Sequence, residues 1–150
     1  MRPLDAPPHP SPASEPAPSP HPVDAPRTIH ASSLTARELG QHGEQLVADS
    51  LESAGWRILE RNHRLPQGEI DIIALDGRSL VFVEVKTRRT LLTGVPQASV
   101  TAAKLRRLRL LAGIYLMDNA PPHVDVRIDV IGVLFGGDDA PAIEHLRAVG

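Results

Sequence analysis

The fold is decided in residues 68–87, which read GEIDIIALDGRSLVFVEVKT. Apolar and polar residues alternate on both sides of Asp76-Gly77, and Asp-Gly between such runs is typical of a β-hairpin. We therefore expect strands at Gly68–Leu75 and Ser79–Thr87. A two-residue turn at Asp76-Gly77 would pair Leu75 with Arg78.

This register places several charged side chains together. Glu69 lies opposite Glu84, and Asp71 is the diagonal neighbour of Glu84, about 7–8 Å away between backbones. Because side chains alternate between the two faces of a strand, these three acids and Lys86 share one face. The other face carries apolar residues suited to a core: Ile70, Ile72, Ala74, Val81, Val83 and Val85.

The crowded carboxylates indicate a site for a cation. Like charges directly opposite on a sheet destabilise it by a few tenths to about 1 kcal/mol, and a hard divalent ion such as Mg²⁺ relieves this through oxygen ligands. The alternative is an exposed face with salt-bridged charges. That face also carries apolar residues nearer the turn, so we expect a helix to cover one end of it: Ile73, Leu75, Leu80 and Phe82.

A helix precedes the hairpin. Thr35 and Glu38 fit a capping box, and Gly55 is a plausible stop. Glu44 lies at the border of the apolar stripe of this helix and would point at the acidic patch if the helix covers the charged face. Otherwise Glu44 is a border residue that reaches solvent.

The remaining elements complete a mixed α/β pattern. We expect a strand at Trp56–Asn62, a helix from Pro96 to about Met117, and strands at Val124–Phe135 and Ala142–Arg147. The order α-β-β-β-α-β-β predicts a mixed central sheet flanked by helices.

The amino end has a different composition. Ten of the 15 prolines lie in residues 1–26, so we interpret residues 1–32 as a disordered tail and 33–150 as one domain. A wrongly assigned start is an alternative reading of the tail. The chain has no Cys, which excludes disulfides and thiol catalysis. No apolar run is long enough for a membrane span and no signal for export is seen, so we expect a cytoplasmic protein.

Basic residues follow the hairpin. The stretch 86–110 holds seven Lys and Arg and no acid, although the formal charge of the chain is −2. Cations beside a carboxylate site suit a polyanion such as nucleic acid, while each single Arg also fits a solvated helix face. We expect four of these side chains to bind nucleic acid: Arg88, Arg89, Lys104 and Arg107. His42, His63 and Asp129 are interpreted as packing or structural residues.

Two motifs carry a resemblance to a known family. GEIDIIA at 68–74 and VFVEVKTR at 81–88, with GQHGE at 40–44, resemble the YraN family of largely uncharacterised bacterial proteins. That family is similar to the PD-(D/E)xK nucleases, which have a restriction-endonuclease-like fold, and to archaeal Holliday-junction resolvases. The resemblance implies Asp71 and Glu84 as metal carboxylates, Lys86 as the motif lysine and Glu44 as the acid of the first helix.

The expected activity is that of a Mg²⁺- or Mn²⁺-dependent endonuclease acting on DNA, branched DNA included. Asp71, Glu84 and Lys86 would be catalytic, with the Val85 carbonyl, Glu44 and Glu69 as further ligands. The main alternative is a nucleic-acid-binding protein that keeps the fold and cuts nothing; an adaptor acting through its Pro-rich head is a third. Related resolvases work as dimers, so two-fold pairing is expected by analogy only.

Overall fold

The structure is a computed structural model that describes residues 31–89, 100–119, 121–136 and 140–149. Within these ranges the chain forms two α-helices and five strands, in the order α-β-β-β-α-β-β that the sequence predicts. The elements are α1 (Ala36–Ser53), β1 (Arg57–Leu65), β2 (Gly68–Asp76), β3 (Ser79–Arg88), α2 (Ala102–Asp118), β4 (Asp125–Leu134) and β5 (Ala142–Leu146).

The five strands form one mixed sheet in the order β1-β2-β3-β4-β5. Strands β3 and β4 pair in parallel, and the other three neighbouring pairs are antiparallel. A parallel pair needs a crossover connection, and α2 lies in that connection. The predicted mixed sheet flanked by helices is therefore confirmed.

The two helices pack on opposite faces of the sheet. One core cluster joins α1 to the sheet through Val47 and Leu51, which pack with Ile72 and Val83. The other joins α2 to residues on the charged side of the hairpin, including Ile73, Leu80 and Phe82. A helix does cover the apolar end of the charged face, but it is α2, and the conditional placement of α1 on that face is wrong.

The hairpin turn lies one residue later than predicted. Asp76 pairs with Ser79, so the two turn residues are Gly77 and Arg78. Gly77 has φ +59°, whereas Arg78 is not among the described residues with positive φ. A Gly with positive φ at the first central position is typical of a type II′ turn, whereas the sequence analysis assumed an Asp-Gly centre. The predicted register is therefore wrong by two residues, an error that does not by itself move any side chain to the other face.

One apolar residue departs from the predicted alternation. Ile70 packs in the α2 cluster, although Ile72 packs in the α1 cluster. The pairing between β2 and β3 extends from Asp76 only as far as Ile72, whereas β1 pairs with β2 down to Gly68. Strand β2, which carries Asp71, is thus no longer paired with β3 before Ile72. The strict alternation of side chains between the two faces ends at the same place.

The predicted boundaries of α1 are confirmed, and the predicted start of α2 is wrong. Thr35 and Glu38 form the capping box, and Gly55 has φ +90° just after the helix. Helix α2 begins at Ala102, because Thr101 has extended dihedral angles and its side chain accepts a hydrogen bond from the Lys104 N–H. Pro96, the predicted first residue, lies outside the described residues.

The predicted tail falls almost entirely outside the described residues. Its last two residues, Ala31 and Ser32, belong to a short 3₁₀-helix that ends at Ser33. Across the described parts of the chain, neither helix has the length and apolar character that crossing a membrane requires.

Candidate metal centre

The site is built where β2 and β3 separate. Beyond the last paired positions, Ile72 and Val83, the Val85 N–H donates to the Asp71 side chain, with 2.7 Å between N and Oδ2. The carboxylate thus satisfies a strand amide that the β2 backbone no longer reaches. This contact fixes Asp71 in the opening between the two strands.

Two further acids converge on Asp71. One carboxylate oxygen each from Glu44, Glu69 and Asp71 lies within 4.8 Å of the others. Glu69 comes from the start of β2, and Glu44 from the third turn of α1. Glu44 reaches this group even though α1 packs on the other face, because Asp71 lies where the sheet opens.

Asn62 links two of these acids. With its side-chain nitrogen turned toward the carboxylates, the Asn62 amide donates to Glu69 Oε1 and to Glu44 Oε2, both at 3.0 Å. Its backbone has φ +51°, a conformation that Asn tolerates better than most residues. The sequence analysis missed Asn62, because an Asn inside a predicted strand carries no signal of a long-range contact.

Asp71 and Glu44 have raised pKa values. Burial first, and then the negative charges of Glu84, Glu44 and Glu69, raise the pKa of Asp71 to about 7, although the Val85 hydrogen bond opposes the rise. Burial also raises the pKa of Glu44; Glu69 adds to the rise, and Arg61 opposes it. Like charges held together in a partly desolvated place destabilise their ionised forms. A bound cation would remove that penalty.

Glu84 is held by a residue from α2. Its Oε1 lies 3.0 Å from the ammonium nitrogen of Lys104, and the two side chains are only 12% and 18% exposed. Among the described residues, Glu84 is not part of the group in which Glu44, Glu69 and Asp71 converge. Its charge is nevertheless the second largest cause of the raised pKa of Asp71, so Glu84 borders the same centre.

Lys86 and Val85 complete the predicted set on β3. Lys86 is half-buried and follows Glu84 by one strand repeat, so both side chains belong to the same face of the strand. Val85 packs against the α1 cluster and gives its N–H to Asp71. A role for the Val85 carbonyl as a metal ligand stays a prediction.

The four predicted nucleic-acid contacts divide into two groups. Lys104 and Arg107, one turn apart on α2, line an open groove of about 430 Å³ together with Ala103. Arg89 instead donates to the carbonyls of Ala31 and Leu34, which ties the end of β3 to the segment before α1. Arg88, the last residue of β3, is half-buried.

The other candidates lie in structural contacts. The His42 ring packs 5.6 Å from the ring of Phe135, and the His63 ring meets Tyr115 edge to face at 5.2 Å. Asp129 is fully buried and accepts hydrogen bonds from Arg127 and from the Ala148 N–H, with His145 Nε2 at 2.7 Å. These contacts belong to the packing of the sheet and of the chain end.

The donor set fits a hard divalent cation. Carboxylate oxygens are the protein ligands that Mg²⁺ and Mn²⁺ prefer, and the acids come from a helix and two strands. The fit is supported by the convergence of the three carboxylates and by the raised pKa of Asp71, since a bound cation would stabilise its ionised form. Glu44, Glu69 and Asp71 are the residues that would hold the ion, with Glu84 at its border.

Comparison with known proteins assigns the chain to a family. Residues 43–133 match the model of the uncharacterised protein family UPF0102. This chain belongs to the UPF0102 family. The predicted resemblance to YraN proteins is thereby confirmed, because UPF0102 and YraN denote the same family.

The UPF0102 relatives resemble the chain over nearly their whole length. A UPF0102 protein of Arthrobacter sp. (strain FB24) is 51% identical over 112 residues, which cover 75% of this chain and 95% of the relative. One from Renibacterium salmoninarum is 47% identical over 116 residues, covering 77% and 98%. Among solved structures, Archaeoglobus fulgidus Hjc, a Holliday junction resolvase, matches with TM-score 0.40 and 19% identity over 72% of this chain and 86% of that one.

Proposed function

We propose that this UPF0102 protein is a metal-dependent nuclease that hydrolyses phosphodiester bonds in DNA. The observation that carries the proposal is the convergence of Glu44, Glu69 and Asp71 within 4.8 Å at the opening between β2 and β3. The same opening is bordered by Glu84 and faces the basic start of α2. A carboxylate site for a cation, next to basic side chains that can bind phosphate, suits metal-assisted phosphodiester hydrolysis.

Each residue has a distinct task in this proposal. A bound Mg²⁺ or Mn²⁺ would polarise the scissile phosphate and stabilise its developing charge. Asp71, Glu44 and Glu69 would hold the ion, and the Val85 N–H keeps the Asp71 carboxylate aimed into the opening. Lys86 would orient the attacking water and, as a cation, stabilise negative charge on the phosphate. Arg107 would hold the substrate backbone from the groove on α2.

The test is a cleavage panel with the purified full-length chain. Linear duplex, single-stranded, four-way-junction DNA and RNA are incubated with Mg²⁺, Mn²⁺ or EDTA. We expect cleavage of DNA in either metal, none in EDTA, and a loss of about 100-fold or more in Asp71→Ala and in Lys86→Ala. Arg106→Ala, at an exposed position on α2, is the matched control and should cut like the wild type.

A non-catalytic DNA-binding protein is the second candidate, and the ion pair between Glu84 and Lys104 favours it, because a paired carboxylate is less available to a metal. Uncut substrates in all conditions, with gel shifts that persist in EDTA and in Asp71→Ala, would establish this candidate and refute the nuclease. The two-fold pairing expected by analogy stays a prediction, which light scattering of the full chain would test.

A further inference from the structure

Lys104 stands at an electrostatically unfavourable place in α2. It is the third residue of the helix, and its own N–H donates to the capping side chain of Thr101. The first turn of a helix carries the positive end of the helix dipole, which favours anions and disfavours cations. The first turn of α2 contains no acid that would offset this charge. Lys104 therefore needs an anionic partner from another element.

Glu84 is that partner in the structure. The two charged atoms lie 3.0 Å apart, and both side chains are mostly shielded from water. Glu84, which the family resemblance pairs with Asp71, thus has the Lys104 ammonium beside it. The oxygens of the other three acids converge nearby: Glu44, Glu69 and Asp71. A divalent cation held by those three acids would repel the nearby ammonium and attract the Glu84 carboxylate at the border of the centre, so the two cations would compete.

The surroundings of Lys104 offer its ammonium a second location. Lys104, Ala103 and Arg107 line the open groove on α2, and Arg107 is exposed one turn further on. A lysine has a long flexible stem with its charge at the tip, so it can exchange one anion for another without moving the backbone. A phosphate in the groove would supply the anion that the helix start requires.

We propose that Lys104 is a metal-displaced switch, which pairs with Glu84 while the site lacks a metal and moves to a DNA phosphate once a divalent cation binds. This inference rests on the proposed function, since it assumes a metal at the acidic centre. It makes Lys104 a positioning residue that couples the two binding events. A static salt bridge, the simpler reading of the same contact, would couple nothing.

The first test measures metal affinity without any cleavage. Mn²⁺ binding to the full-length chain is followed by the electron paramagnetic resonance signal of the free ion, in wild type, Lys104→Met, Lys104→Arg and Arg106→Met. We expect Lys104→Met to bind Mn²⁺ about tenfold more tightly, because it removes both the competing ammonium and a positive charge near the ion. Lys104→Arg keeps the charge, and Arg106→Met removes an exposed charge from the same helix, so both should bind like the wild type.

The second test measures phosphate contacts. Binding of a short fluorescent DNA duplex is titrated against NaCl, with EDTA or with Ca²⁺. Each phosphate contact contributes about 0.9 to the slope of log K against log salt. The slopes of wild type and Lys104→Met should agree in EDTA and differ by about 0.9 in Ca²⁺. Comparing both proteins in the same buffer cancels the effect of Ca²⁺ on the DNA itself.

Each outcome separates the switch from the proposed function. If wild type and Lys104→Met bind Mn²⁺ equally, or if their salt slopes differ as much in EDTA as in Ca²⁺, the switch is refuted while the metal site stands. If neither protein binds Mn²⁺, the metal centre is refuted, and the nuclease proposal and the switch are refuted with it. If Lys104→Met binds Mn²⁺ and the wild type does not, the metal fails to displace Lys104, so the switch is refuted while the metal site stands.

Discussion

The contact between α1 and β3 makes a sharp prediction for two glycines of one helix. A Cβ added at Gly40 meets no atom within 4 Å, whereas one added at Gly43 would clash with Thr87 Oγ1 and lie 3.0 Å from Cγ2 and 3.1 Å from Cβ. Rotation of Thr87 can move its hydroxyl, but it cannot remove all three contacts. Helix and strand must therefore separate by several tenths of an ångström in Gly43→Ala.

The two substitutions should have different effects on stability. Replacing a helical Gly by Ala stabilises by about 1 kcal/mol, so Gly40→Ala should raise the free energy of unfolding by about that amount. Gly43→Ala has the same gain but also an overpacking cost of about 1–3 kcal/mol. The variants should therefore differ by about 1–3 kcal/mol, or by at least about 4 °C in Tm.

Urea unfolding of both variants, and of Gly43→Ala combined with Thr87→Ala, measures this. Removing the hydroxyl and methyl of Thr87 should lower the cost of the added Cβ by about 1 kcal/mol. Since Gly43 precedes Glu44 and Thr87 follows Lys86, Gly43→Ala should also weaken Mn²⁺ binding, whereas Gly40→Ala should not. A Gly43→Ala protein as stable as Gly40→Ala, or a cost that Thr87→Ala leaves unchanged, would refute the close approach of helix and strand.

Three further predictions concern the buried acids and Asn62. Because the pKa of Asp71 is raised to about 7, its contribution to the stability of the metal-free protein is fully present below about pH 4 and is lost as the pH rises through about 7. The urea midpoint of the wild type should therefore fall over this pH range, and Asp71→Asn should not show this fall. Asp129→Ala removes the fully buried carboxylate that accepts from Arg127 and from the Ala148 N–H and lies 2.7 Å from His145 Nε2, so it should cost about 1–3 kcal/mol; no loss of stability would contradict these contacts. Asn62→Gly tolerates the positive φ but removes the amide that bridges two carboxylates, so it should lower the unfolding free energy of the metal-free protein by about 2 kcal/mol; unchanged stability would contradict the bridge.

The elements that follow from local chemistry are those that the sequence predicts well. The capping box of Thr35 with Glu38 and the positive-φ Gly55 depend on neighbouring residues only, and both lie where expected. The hairpin is likewise local, but the choice between Asp76-Gly77 and Gly77-Arg78 as turn centre depends on small differences in backbone twist. The assignment of side chains to faces survives that error, because a shift of two residues restores the same alternation.

The parts of the centre that the sequence does not reveal come from contacts between distant elements. Asn62 and Glu44 meet because β1 and α1 both pack beside the opening between β2 and β3, and no residue near either one encodes that meeting. Ile70 leaves the predicted face for the same reason, since the β2–β3 ladder stops at Ile72. Alternation is reliable only as far as two strands stay paired.

The misplaced start of α2 follows from Lys104 itself. In a capping box, the third residue of the helix is Glu or Gln, and a Thr followed three residues later by such a residue marks the helix start. Thr101 caps α2, but Lys104 occupies the third position, so the pattern does not identify the start and Pro96 is the better candidate from sequence. When a residue disfavours the helix in which it lies and has no compensating contact nearby in sequence, a contact or function elsewhere in the fold is the expected reason. For Lys104, the compensating contact exists only in the folded structure, because the ammonium that disfavours the start of α2 also forms the ion pair with Glu84.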